Sequence, residues 1–172
     1  RRRQRQQRHH AGVDRLCLRL RFVSAADPAL VGEEVEAVAD ANALQRLSEE
    51  SGIPIKVRCC DTLGLGISYP GASMPRSVPG IIYGLRHYAN MPSSLLEWHG
   101  HNDFYKAVSN AAAAWLYGAS AANCSLLGIG ERTGNCPTEG MVMEYCSLRG
   151  RTDGMNLAVL TEIAEYFEKE IG

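Results

Sequence analysis

From Leu16 the chain alternates. Leu16, Leu18, Leu20 and Phe22 fall on one side and Cys17, Arg19 and Arg21 on the other, the period-two pattern of a half-buried or edge strand. Residues 31–51 then read as a helix. The run Ile53-Pro54-Ile55-Lys56-Val57-Arg58-Cys59-Cys60 lies between Gly52 and Gly64-Leu65-Gly66 and predicts a second strand. A long segment through Tyr69-Pro70-Gly71 and Pro75 leads into a helix from Val78 to Tyr88. Leu95 to His99 predicts a short third strand, and Asp103 stands where an N-cap would start a helix from Phe104 to Tyr117, stopped by Gly118. A fourth strand is expected from Ala121 to Leu127. The loop Gly128-Ile129-Gly130-Glu131-Arg132-Thr133-Gly134-Asn135 follows, and then two helices, at residues 138–148 and 155–169.

Four strand-helix units and a trailing helix imply parallel strands joined by crossovers, an α/β fold. The chain has 172 residues, enough for one sizeable core but short of the roughly 250 of a full (β/α)8 barrel. No repeat beyond the βα rhythm and no linker marks a second domain. The longest wholly apolar run, Ala111–Leu116, falls far short of the roughly 20 residues that cross a bilayer, so no membrane partner is expected.

Charge is unevenly placed. Residues 1–22 carry eight arginines against Asp14 alone, so the head is +7 and the remaining body −8, for a net charge of −1. Residues 1–14 are expected to be a basic disordered tail, with nothing apolar to bury over the first ten. Nucleic acid is a poor partner for it, because no aromatics interleave the arginines and the acidic body would repel a polyanion. Six cysteines without any C-x-x-C pair read as buried free thiols in a reducing, cytoplasmic setting.

Three polar clusters fall where strands end: Asp61-Thr62, His99-Gly100-His101, and residues 128–135. The carboxyl ends of parallel strands form one face, which brings these clusters together. His99 and His101, at i and i+2 of a strand end, point to the same side about 6.6 Å apart along the chain and suit two adjacent positions of one divalent cation. A pair of satisfied structural histidines is the alternative. The glycine-rich loop lacks the spacing of a nucleotide-binding turn. Glu131-Arg132 is either part of a site or of a solvated loop.

In this order, Asp61-Thr62-Leu63-Gly64, His99-Gly100-His101-Asn102-Asp103 and Gly128-Ile129-Gly130-Glu131-Arg132-Thr133-Gly134-Asn135 resemble the motifs of the pyruvate carboxyltransferase-like TIM-barrel family, which includes 2-isopropylmalate synthase, homocitrate synthase, hydroxymethylglutaryl-CoA lyase and Re-face-specific citrate synthase. Residues 68–77 and 97–106 look closest to the Re-face citrate synthase branch. The resemblance is firm from about residue 42. It implies that residues 15–172 are the C-terminal part of the catalytic (β/α)8 TIM barrel, about four βα units.

The resemblance further implies a metal-dependent acyltransferase that condenses acetyl-CoA with a 2-oxo acid by Claisen condensation and thioester hydrolysis, oxaloacetate first, with homocitrate or 2-isopropylmalate formation next. His99 and His101 would hold a divalent metal (Mn, Mg or Zn), with Asn135 as a further ligand or an outer-shell group, Thr62 would contact the substrate carboxylate, and Glu131 would be the catalytic residue that organises the active-site face. A metal-binding acid and adjacent arginine on the family's first strand have no counterpart in this sequence. A homo-oligomer or a missing N-terminal barrel half is therefore expected. The alternatives are a carbon–carbon lyase of the hydroxymethylglutaryl-CoA type and a catalytically incomplete fragment or assembly subunit.

Overall fold

A computed structural model describes residues 16–21 and 31–171; the expected basic tail, residues 1–14, lies outside them. The described chain runs β1 (Leu16–Arg21), α1 (Val31–Ser51), β2 (Ile55–Asp61), α2 (Val78–His87), β3 (Leu96–Gly100), α3 (Ala107–Tyr117), β4 (Ala121–Asn123), α4 (Thr138–Arg149) and α5 (Ala158–Ile171). The strands form one parallel sheet in the order β1-β2-β3-β4, with Leu16 opposite Ile55, Val57 opposite Leu96 and Trp98 opposite Ala122. Parallel strands joined in sequential order take right-handed crossovers, which put the connecting helices α1, α2 and α3 on one face of the sheet. This singly wound arc is the geometry of part of a (β/α)8 barrel, not of a doubly wound sheet, whose strand order reverses.

Alternation along the strands sorts the two faces. Val57, Cys59, Leu96 and Trp98 enter one core with Ile81, Ile82 and Leu85 of α2, Ala107, Ala111 and Ala114 of α3, and Met141 of α4. The alanines of α3 let its backbone approach the sheet closely. Ser77 caps α2, its Oγ accepting from Gly80 N–H at 3.0 Å, and Gly118 ends α3 in the left-handed conformation.

The opposite face is polar. Buried Glu97 lies between Lys56 and Arg58, with Nζ and Nε each 2.5 Å from a carboxylate oxygen. Burial raises the Glu97 pKa, but hydrogen bonds and charge from Lys56 and Arg58 outweigh it and hold the carboxyl below its ordinary value. Glu97 is two residues before His99, so this charged layer underlies the histidine pair.

Two local expectations are corrected. The fourth strand is only three residues long, because residues 126–128 turn into a short 3-10 segment with Leu127 at φ +54°. Asp103 does not cap the third helix, which begins at Ala107; Asn102 Oδ1 accepts from Ala107 N–H at 3.2 Å instead. The carboxylate of Asp103 is drawn away by a cation described below.

Candidate active site at the strand ends

Each expected site residue sits at the carboxyl end of β2, β3 or β4 or on the loop after it. The rings of His99 and His101 are 5.2 Å apart, edge to face at 87°. His99 lies opposite Asn123 in the β3–β4 register, and its Nδ1–H donates to Asn123 Oδ1 at 2.8 Å. Because that amide oxygen only accepts, the neutral ring carries its lone pair on Nε2. His101 is buried; its backbone N–H donates to Asp61 O at 3.1 Å, while its Nδ1 has no hydrogen-bond partner.

The glycine-rich loop returns to the end of β3 and pairs with it. Asn102 N–H donates to Gly134 O at 2.9 Å and Cys136 N–H to Gly100 O at 3.2 Å, which sets Asn135 opposite His101 in an antiparallel bridge. Gly134, at φ +96°, has no room for a Cβ, which would strike the Gly128 carbonyl. Asn135 Nδ2 donates to Ile129 O at 3.4 Å, and its Oδ1 is buried without a partner. Two buried polar atoms without a partner, one imidazole nitrogen and one amide oxygen, therefore lie on directly bridged residues.

Arg132 ties three loops together. Its Nε and Nη2 donate to the two carboxylate oxygens of Asp103 at 2.6 and 3.0 Å, and Nη2 also donates to Thr62 O at 2.7 Å. The residue adopts φ +56°, a strained conformation for a side chain of this size. The guanidinium holds Asp103 below the usual carboxylate range. Thr62 is thus fixed through its backbone. Glu131 stands 3.6 Å from Arg132 with its side chain 80% exposed.

Asp61 gives the first loop its shape. Its buried carboxylate accepts from the N–H groups of Leu65 and Gly66, each at 2.9 Å. Burial pushes its pKa up, and those hydrogen bonds and the nearby Lys106 oppose the shift. The loop then packs against β3: at Gly64, φ +67°, a Cβ would lie 2.9 Å from His101 O.

Sequence reasoning missed Asn123 and, although it left Glu131-Arg132 open between a site and a solvated loop, missed the partners of Arg132. The strand register signals the first, since it places residue 123 beside His99; nothing local signals the partners of Arg132, which lie 29 and 70 positions away. Among the described residues, no three or more His, Cys, Asp and Glu side chains converge as a metal site. The donors that do converge, His99, His101 and Asn135, are the nitrogen and oxygen types that divalent cations accept. The orphaned Nδ1 and Oδ1 fit such an ion, with its remaining positions left for other ligands.

A partial parallel α/β barrel with a His-x-His pair at its carboxyl edge is the class that fold and site define. The chain belongs to the HMGL-like family, whose model matches residues 20–166. It is 61% identical over 130 residues to the citrate (Re)-synthase of Clostridium kluyveri, covering 76% of this chain and 29% of that protein. With the citrate (Re)-synthase of Syntrophus aciditrophicus it shares 57% identity over 128 residues, 74% of this chain and 20% of the relative. The chain thus spans less than a third of these curated relatives' length. The carboxyl transferase domain of Rhizobium etli pyruvate carboxylase, solved with pyruvate, shares the fold at a TM-score of 0.64 and 18% identity, over 89% of this chain and 24% of that one. No described helix is long and apolar enough to cross a membrane.

Proposed function

We propose that this chain supplies the metal-holding edge of an acyltransferase that condenses acetyl-CoA with a 2-oxo acid, oxaloacetate first, and releases CoA by thioester hydrolysis. The observation that carries the reading is the bridged pair His101 and Asn135, each with a buried side-chain N or O atom without a partner, beside a His99 ring oriented by Asn123. The names of the two citrate (Re)-synthases support the substrate choice.

His99, His101 and Asn135 hold a divalent cation, manganese or magnesium before zinc. When bound, such an ion supplies Lewis-acid polarisation of the 2-oxo acid's carbonyl. Asn123 fixes the His99 tautomer and ring plane. Thr62, at the next strand end, contacts the substrate carboxylate from a backbone that Arg132 immobilises. Glu131 acts through Arg132 as a positioning residue.

The test uses the purified chain. Manganese binding is measured by calorimetry for wild type, His99→Ala and His101→Ala. Free CoA thiol is then followed with acetyl-CoA and, separately, oxaloacetate, 2-oxoglutarate or 2-oxoisovalerate. Binding lost in both variants, with metal-dependent CoA release from oxaloacetate, is the expected result. A folded wild type that binds no manganese overturns the site, and intact binding without CoA release from any acid overturns the assigned activity of this chain.

A further inference from the structure

We propose that Cys124 and Cys136 form an oxidation site, a thiol pair that closes reversibly to a disulfide and staples the base of the loop carrying Arg132 and Asn135. The backbone brings the two together. Ser125 N–H donates to Cys136 O at 3.1 Å and Thr138 N–H donates to Ser125 O at 2.9 Å, a parallel bridge between Ser125 and Pro137. Cys124 and Cys136 stand one step before the two members of this isolated bridge, the positions that a parallel pairing holds in register with side chains on the same face. In-register neighbours lie about 4.8 Å apart, inside the roughly 4.4–6.8 Å between Cα atoms that a disulfide spans.

Both side chains face the helix layer. Cys136 belongs to the core and Cys124 packs against its edge, where its Sγ–H donates to Ala122 O at 3.7 Å. Their exposures differ in a useful way. Cys136 is 1% exposed, whereas Cys124 is only half-buried and lines a cavity of about 300 Å³ with Trp115, Thr138, Met141, Tyr145 and Met155. That space admits a small oxidant to Cys124 and not to Cys136. No comparable arrangement serves Cys59 and Cys60, which are sequence neighbours on opposite faces of β2.

A hydroperoxide is the oxidant class. The Cys124 sulfur attacks its O–O bond, giving a sulfenic acid and, for hydrogen peroxide, one water. The Cys136 sulfur then attacks the sulfenic sulfur; the S–O bond breaks, the thiol proton leaves with hydroxide as a second water, and the S–S bond forms. A dithiol restores the pair by exchange. The closed ring contains the whole loop from Ser125 to Asn135, so oxidation fixes its two ends to each other without touching a site side chain.

The test needs no catalytic readout. The reduced full chain is treated with hydrogen peroxide, free thiols are alkylated, and tryptic peptides are analysed by mass spectrometry; cleavage after Arg132 separates the two cysteines. The expected product is a linked peptide pair lighter than the sum by two hydrogens, with fragmentation placing the link at Cys136 and not at Cys146. Dithiothreitol should return both peptides alkylated. Cys124→Ser and Cys136→Ala should each abolish the link, and the wild-type measurement decides the matter if either variant misfolds. Recovery of Cys124 as an unlinked alkylated or sulfinic species, or a link through Cys146, overturns the proposal.

Discussion

Replacing Glu97 by glutamine removes the anion between Lys56 and Arg58 while keeping the side chain's size and hydrogen-bonding ends. The carboxylate is 7% exposed and its partners 24% and 21%, all within 2.5 Å contacts. Breaking a buried ion pair costs about 3–5 kcal/mol, because the remaining charge is stranded. Here the cations reach some solvent, which lowers the expected loss to about 2–3 kcal/mol at pH 7. In urea unfolding, a slope of about 2 kcal/mol per molar converts this loss to a midpoint shift of about 1 M. The sign with pH follows from the depressed carboxyl. Its folded value lies below the unfolded one, so its contribution is complete above the ordinary glutamate value and disappears as pH falls through the lowered folded value. The gap between wild type and Glu97→Gln should therefore be full at pH 7 and narrow below about pH 4. A variant within about 0.5 kcal/mol of wild type at pH 7, or a gap that does not change with pH, would refute the charged-layer account.

Three further outcomes can be checked directly. Gly64→Ala should cost about 1–3 kcal/mol in chemical denaturation, from strain at φ +67° and the approach to His101 O; Gly52→Ala, also at positive φ but with nothing within 4 Å, should cost less, and equal losses would rule out the contact with His101. Arg132→Ala should return the Asp103 pKa toward its ordinary value, read by NMR titration, and speed thermolysin cleavage within residues 126–133. In wild type the amide hydrogen-exchange protection of that loop should weaken as pH falls through the depressed Asp103 value, a dependence the variant lacks. Asn123→Ala should weaken manganese binding by about 10–100-fold in calorimetry while leaving the far-ultraviolet circular dichroism unchanged.

The element order was legible because each strand announces itself locally, by alternation in Leu16–Arg21 and by glycine boundaries around Ile55–Asp61. The gathering of Thr62, His99, His101 and Asn135 at one edge followed from parallel strands alone. What escaped was decided by partners distant in sequence. Asp103 has the composition and place of a helix cap, yet a bidentate guanidinium offers its carboxylate more than a helix N-terminus does, and Asn102 takes the capping role. Leu126 and Leu127 look like strand residues, but the chain must turn there for Asn135 to reach His101. Glu97 stands in a predicted strand, but its place between two cations follows only from the register that sets it beside Arg58.

The antiparallel bridge between His101 and Asn135 also dictates which changes of length the chain can accept. Residues 134–136 are laddered to residues 100–102, and side chains in such a pairing alternate between faces. One residue inserted between Gly134 and Cys136 would turn the Asn135 amide to the opposite face and carry Cys136 out of the core. The turn at residues 150–154, where Gly150 and Gly154 have nothing near them, carries no such constraint. Lengths are therefore expected to drift at that turn among related chains, while the spacing from Gly134 to Cys136 stays fixed.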